Sequence, residues 1–231
     1  REKRQENMDY ELFKQIVEEC SHYGSRSFSL HLFGEPLLYP RILDAISFIK
    51  ASNKYNTVLL TTNGLLLNRF IDELLKVRVD KIIWSWRKNN FTDHTKEMLR
   101  KVGLIRLLIE ETPKEEFEKW SKFPRVEVKH LHNYGGDIDL SKWGYIKKPD
   151  KRYPCYHLWL APAIRWNGDM VFCCNVSKHT VYSTLGNVLQ RSIHDMWKSD
   201  QLNEVRNDHK QGVYKDACRS CDSWKAYPSI F

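Results

Sequence analysis

The stretch from Cys155 to Cys221 constrains this chain more than any other. Twelve residues separate Cys155 from Gly168, four more separate Gly168 from Cys173, and after a gap of forty-four come Cys218 and Cys221 with two residues between them. Thiolates are soft ligands, and four of them gathered from a hairpin and a short turn satisfy either zinc or an iron-sulfur cluster. Six cysteines also allow a disulfide framework. That reading is weaker, because all but Cys20 sit in the last third and a 231-residue chain that is 42% apolar can build a core without covalent staples. A reducing, cytoplasmic setting is expected.

Upstream, strand-like and helix-like runs alternate. Residues 9–22 place Leu12, Phe13, Ile16, Val17 and Cys20 at helical spacing, so Cys20 reads as a structural thiol. Residues 27–33 alternate and stop at Gly34, Glu35 and Pro36, after which Pro40 opens a helix with Ile42, Leu43, Ile46 and Ile49 as its core stripe. The β-branched run 57–62 ends at Asn63 and Gly64, and the next helix buries Phe70, Ile71, Leu74 and Leu75. The rhythm repeats with residues 81–86 and a helix near 95–101, then with residues 105–109 and a capping box of Thr112, Pro113 and Glu115. Residues 126–132 close the series at Gly135 and Gly136, with His130 and His132 sharing one face as rim or core histidines.

Such alternation implies a parallel sheet covered by helices, either an open doubly wound sheet or a barrel, with ligands at the carboxyl ends of the strands. Those ends carry Gly34 and Glu35, Asn63 and Gly64, Ser85 and Arg87, and Tyr134 to Gly136. A carboxylate such as Glu35, unpaired in a pocket, has little structural purpose. Farther on, residues 158–166 and 170–173 read as strands around Asn167 and Gly168, a type I′ hairpin signal. Cys174 next to Cys173 should then project to the opposite face, away from the ligand set, either as a core thiol or toward a neighbouring domain's pocket. Ser192 and Asp195 start a helix running through Met196, Leu202 and Val205.

The net charge of +8 is spread along the chain. Its densest group, Lys142, Lys147, Lys148, Lys151 and Arg152, reads as a solvated linker, so nucleic acid is not an expected partner. No apolar run approaches the roughly 18 residues that a membrane helix needs.

Taken together these motifs resemble the radical S-adenosylmethionine enzymes with a C-terminal auxiliary-cluster domain of the SPASM or twitch type. Phe33 to Leu38 is similar to that family's GGEPLL segment, Thr62-Asn63-Gly64 to the TNG that ends a strand, and Ser85 to a polar residue approaching the cofactor. Cys155 to Cys173 is similar to the family's CX9-15GX4C signature, and Leu185-Gly186-Asn187-Val188 with Ser192, Ile193 and Trp197 to its LGNV…SI…W run.

The resemblance implies an α/β partial (β/α)6 barrel over 1–140, a basic linker over 141–153 and an auxiliary-cluster domain over 154–231. It implies that Gly34, Glu35, Pro36, Thr62, Asn63 and Ser85 bind S-adenosylmethionine. Cys155, Cys173, Cys218 and Cys221 would hold one auxiliary 4Fe-4S cluster, with Tyr134, Cys174 and Asn175 facing substrate. The family's CX3CX2C motif, which holds a second 4Fe-4S cluster, is not among these residues; it would lie upstream of a segment like Asn7-Met8-Asp9. That segment is expected to be truncated, disordered or lost.

By the same resemblance, a 5′-deoxyadenosyl radical would take hydrogen from a sugar- or cyclitol-like molecule or a peptide. A flavodoxin or ferredoxin would supply electrons. In the alcohol-oxidising relatives an acidic residue follows the second cluster ligand, whereas Cys174 and Asn175 stand there here, so that specificity does not transfer. The rival reading is a non-catalytic four-cysteine iron-sulfur or zinc scaffold that binds a partner or nucleotide.

Overall fold

In the computed structural model, residues 6–88, 90–109, 111–129, 152–175 and 183–222 are described. Two compact units emerge, one of Tyr10–Leu131 and one of His132–Phe231 with Arg1–Asp9.

The first unit is a five-stranded parallel sheet whose strands lie in chain order: β1 Ser27–Ser29, β2 Thr57–Thr62, β3 Lys81–Ser85, β4 Gly103–Leu108 and β5 Val126–Lys129. Among the described residues the sheet is not closed into a barrel. Helices α1 Tyr10–His22, α2 Ile42–Ser52, α3 Leu67–Lys76, α4 Asp93–Val102 and α5 Lys114–Trp120 alternate with the strands.

Pleating sends successive side chains to opposite faces. Val58, Leu60, Ile82, Trp84, Ile105 and Leu107 therefore share one face and are buried, as are Ile42, Ile46 and Ile49 of α2, Leu67, Ile71 and Leu74 of α3, and Leu99 of α4. Each such side chain contributes about 1.5–3 kcal/mol on burial. Trp84 anchors this layer, with Phe91 and Trp120 edge-on at 4.6 and 4.8 Å. Cys20 lies half-buried in α1, where burial pushes its thiol up to about 11, as befits a structural cysteine.

Several local expectations are corrected. The first strand stops at Ser29; one further bond, from Leu30 N to Leu59 O, ends its ladder. Helix α5 begins at Lys114 with Pro113 at the cap and no side-chain capping bond; Thr112 N donates to Leu108 O, and its buried hydroxyl has no partner among the described residues. The predicted long helix from Ser192 is two helices, α7 Ile193–Trp197 and α8 Asp200–Lys210. Each has its own serine cap, Ser192 to Asp195 N at 3.0 Å and Ser199 to Leu202 N at 3.3 Å. A second cap marks a second helix start.

In the second unit, residues 158–166 do not form one strand. His157–Leu160 is a helical turn, α6, and only Ala163–Ile164, β6, pairs with β7 Asp169–Val171, which pairs in turn with β8 Thr184–Asn187. The turn is a three-residue loop rather than type I′: Gly168 N donates to Arg165 O, Arg165 N donates to Asp169 O, and Gly168 alone takes a positive φ of 87°. This is the type I turn closed by a left-handed glycine.

Asn187 locks the loop by donating to Asn167 O at 3.0 Å and to Asp169 Oδ1 at 2.9 Å. Gly186, at φ 144°, lies where a Cβ would stand 2.8 Å from Met196 Sδ. Gly186→Ala is therefore expected to destabilise this unit by about 1–3 kcal/mol, read from its thermal unfolding.

Candidate functional site

At the carboxyl edge of the parallel sheet, the loop after β1 is tied to the end of β2 through Glu35. Its Oε1 accepts the Thr62 hydroxyl at 2.7 Å and Leu37 N at 3.1 Å, and its Oε2 accepts Asn63 N at 2.8 Å. Glu35 also caps the 3-10 turn Pro36–Leu38, in which Pro36 takes the first position where its missing N–H costs nothing. Thr62 Oγ1 in turn accepts Gly64 N at 3.0 Å, and Asn63 Oδ1 accepts Leu65 N at 2.9 Å.

The structure thus brings Glu35, Thr62 and Asn63 into one hydrogen-bonded unit, with Gly34 and Pro36 as the chain neighbours of Glu35. Glu35 is paired, contrary to the expectation of a carboxylate without partners: the threonine hydroxyl and two backbone N–H groups satisfy it. Gly34, at φ 143°, has no atom within 4 Å of where a Cβ would lie, so the loop backbone is open on that side.

Ser85 ends β3 on the face opposite the helix-packed one. It is in register with Arg106 of β4, which is in register with Glu127 of β5. Thr61 shares this face through its register with Ile83, and its buried hydroxyl has no hydrogen-bond partner among the described residues. Arg106 Nε donates to Glu127 at 2.8 Å, and Lys129 pairs with the same carboxylate at 2.8 Å.

Sequence reasoning missed Arg106 and Glu127. Their one signal was a charge inside the otherwise apolar β4. Burial pulls the Glu127 carboxyl upward, but hydrogen bonds from Lys129 and Arg106 outweigh it and leave the group below the usual glutamate range. A lowered folded pKa contributes stability that is present above the unfolded value, about 4.3, and lost as the pH falls through the folded value. Glu127→Gln is expected to lower the unfolding free energy in urea at pH 6 by under about 1 kcal/mol given its exposure, with the gap to wild type closing as the pH falls through the folded value.

In the second unit, Cys155 precedes α6, Cys173 follows β7, Cys218 lies in the helical turn α9 Ala217–Ser220 and Cys221 follows it. All four are half-buried, and none is in a disulfide. Burial, with the Cys221 and Cys155 thiols nearby, pushes Cys218 up to about 12. Cys173 is raised well above the ordinary thiol value by a hydrogen bond with Cys174, by burial and by the Cys174 and Cys155 thiols, against the donation of Asn175 N to its sulfur at 3.4 Å. The Cys155 thiol thus lies near both Cys173 and Cys218, and Cys221 near Cys218, so the four share one neighbourhood.

Among the described residues no three His, Cys, Asp or Glu side chains converge as a single ion requires. A 4Fe-4S cluster, whose thiolates hold different irons, spaces its ligands more widely than zinc, with all its sulfurs at about 2.3 Å.

The placement of Cys174 is corrected. Strand β7 ends at Val171, so alternation does not carry through to Cys174, which is exposed and meets the Cys173 thiol and, at 3.8 Å, Asn175 Oδ1. It is not a core thiol. Tyr134, His130, His132, Gly135, Gly136 and the lysines of the basic linker lie outside the described residues.

Comparison with known proteins agrees with this arrangement. Residues 155–222, which span all four cysteines, match the SPASM family, described as an iron-sulfur cluster-binding domain. A GTP 3′,8-cyclase of Chlorobaculum tepidum is 43% identical over 49 residues, 21% of this chain and 15% of the cyclase, so the match spans a small part of that relative. BtrN, solved in complex with AdoMet and 2-DOIA, superposes with a TM-score of 0.71 at 19% identity, covering 96% of this chain and 82% of BtrN. SuiB of Streptococcus suis, solved with bound S-adenosylmethionine, gives a TM-score of 0.60 at 15% identity over 96% of this chain and 65% of SuiB. Residues 155–222 therefore match the SPASM iron-sulfur cluster-binding domain, within a chain whose fold is similar to that of BtrN.

Proposed function

We propose that this chain belongs to a radical S-adenosylmethionine enzyme that removes hydrogen from a sugar- or cyclitol-like molecule or a peptide, with an auxiliary 4Fe-4S cluster assisting oxidation or anchoring substrate. The observation that carries this reading is the Glu35 junction. Two loops at the carboxyl edge of a parallel sheet, where such sheets bind ligands, are held together by one carboxylate, with an open glycine beside it.

The backbone of Gly34–Pro36 and the Thr62–Asn63 corner would hold S-adenosylmethionine, with Ser85 on the adjoining strand. When bound and reduced, that cofactor supplies hydrogen-abstracting chemistry. The protein's own part is to orient and to exclude water: Glu35 fixes the two loops, and Thr61 and Ser85 place hydroxyls on the face of the sheet opposite the helix-packed one. Cys155, Cys173, Cys218 and Cys221 would hold the auxiliary cluster, and Tyr134, Cys174 and Asn175 are the proposed substrate-facing residues. An electron-donor protein such as flavodoxin or ferredoxin is the partner this chemistry calls for. No helix of the described residues is long and apolar enough to cross a membrane.

The test uses protein from the full reading frame, purified without oxygen. Iron, acid-labile sulfide and zinc are measured on one sample, and S-adenosylmethionine binding by equilibrium dialysis. Iron and sulfide in equal amounts with saturable binding are expected. Stoichiometric zinc without binding would establish the scaffold reading instead.

A further inference from the structure

We infer that His209, Tyr214 and Arg152 form a brace that holds the Cys155 and Cys218 segments at the separation the auxiliary cluster needs, which makes His209 and Arg152 positioning residues for it. The inference rests on the reading of those cysteines as ligands.

Cys155 and Cys218 are far apart in sequence, and neither sits in a long element: α6 and α9 each span four residues. Short turns do not by themselves fix two thiolates against each other. The brace joins them. His209, on α8 and 1% exposed, accepts the backbone N–H of Cys155 at Nδ1, 3.3 Å away. With Nδ1 accepting, the neutral ring carries its proton on Nε2. The ring meets Tyr214 edge-on at 4.9 Å.

On that same tyrosine rests the Arg152 guanidinium, 3.8 Å from the ring centroid, and the Tyr214 hydroxyl donates to Arg152 O at 3.4 Å. Arg152 then reaches the other cysteine segment, donating from Nη2 to Cys218 O at 2.6 Å and from Nη1 to Arg219 O at 3.4 Å. The connection from Cys155 N to Cys218 O thus runs through three side chains. All three end in planar groups, two rings and a fork, which give little when loaded. A preorganised guanidinium can hold two carbonyls where a lysine ammonium would act as a point charge.

Groups that orient metal ligands from behind typically cost 10–100-fold in metal affinity when removed. The brace also puts a fixed positive charge next to the Cys218 segment, and charge near a cluster sets its reduction potential.

The experiment is done on the anaerobically reconstituted full-length protein, with Cys155→Ala as the control that identifies the optical and electron-paramagnetic signals of the C-terminal cluster. The readouts are the rate at which a ferrous chelator bleaches that cluster and its midpoint potential. His209→Leu, which keeps the volume and removes the acceptor, is expected to bleach about tenfold faster. His209→Asn, whose amide oxygen can occupy the Nδ1 position, should restore most of the resistance. Arg152→Gln should bleach faster and shift the potential downward, and it carries the test if His209→Leu fails to fold.

Wild-type bleaching in His209→Leu, equal loss in His209→Leu and His209→Asn, or an unchanged potential in Arg152→Gln would each overturn the brace. If instead Cys155→Ala keeps its full iron and signal, it is the assignment of the ligands that has failed.

Discussion

Glu35→Ala is expected to weaken S-adenosylmethionine binding at least tenfold and to lower the melting temperature of the first unit. The carboxylate accepts from the Thr62 hydroxyl, Asn63 N and Leu37 N. Truncation leaves three donors without acceptors at a partly buried junction, and each orphaned group costs about 1–3 kcal/mol where water cannot reach it. A loss of about 1.4 kcal/mol in positioning already corresponds to tenfold in affinity. Glu35→Gln should fall between: the amide oxygen can still accept Asn63 N while its NH2 faces Thr62, but the bond to Leu37 N is lost. Equilibrium dialysis on the three proteins measures the order, and equal affinities would mean that Glu35 only shapes the loop.

The second large effect is expected at the thiols. Changing any one of Cys155, Cys173, Cys218 or Cys221 to alanine should remove up to about four iron and four sulfide per chain, a whole cluster, because a cubane missing one thiolate is open to solvent and exchange. Cys174→Ser should leave the iron content unchanged, since the four-ligand set is complete without it. The comparison is sharp because Cys173 and Cys174 are adjacent and their thiols touch. Elemental analysis decides it. Full iron in Cys173→Ala with loss in Cys174→Ser would exchange their roles.

What could be read from sequence divides along a physical line. The β2 strand and the hairpin glycine were legible because local chemistry encodes them: β2 spans residues 57–62 as its β-branched run predicts, and Gly168, read as a turn glycine, takes a positive φ. The alternation of strands and helices likewise reads through to the parallel sheet, since a four-to-six-residue apolar run between amphipathic helices has few other places to go.

Features that depend on neighbours distant in sequence were not legible. The row of Ser85, Arg106 and Glu127 exists only through inter-strand register. The Glu35 bonds to Thr62 and Asn63 span 27 and 28 positions. The early end of β7 is what turns Cys174 toward Cys173, and an alternation argument cannot see it. The split at Ser199 was visible in principle, since serine followed by aspartate is a cap, but Leu202 and Val205 continued the helical stripe and masked it.

The central claim is that this fold serves S-adenosylmethionine radical chemistry, and one measurement addresses it most directly. Protein from the full reading frame, loaded with iron and sulfide and reduced without oxygen, is incubated with S-adenosylmethionine, and the products are separated by liquid chromatography. Formation of 5′-deoxyadenosine and methionine in equal amounts, lost in Glu35→Ala, is the predicted result. No 5′-deoxyadenosine from protein carrying its full iron and binding the cofactor would contradict the account.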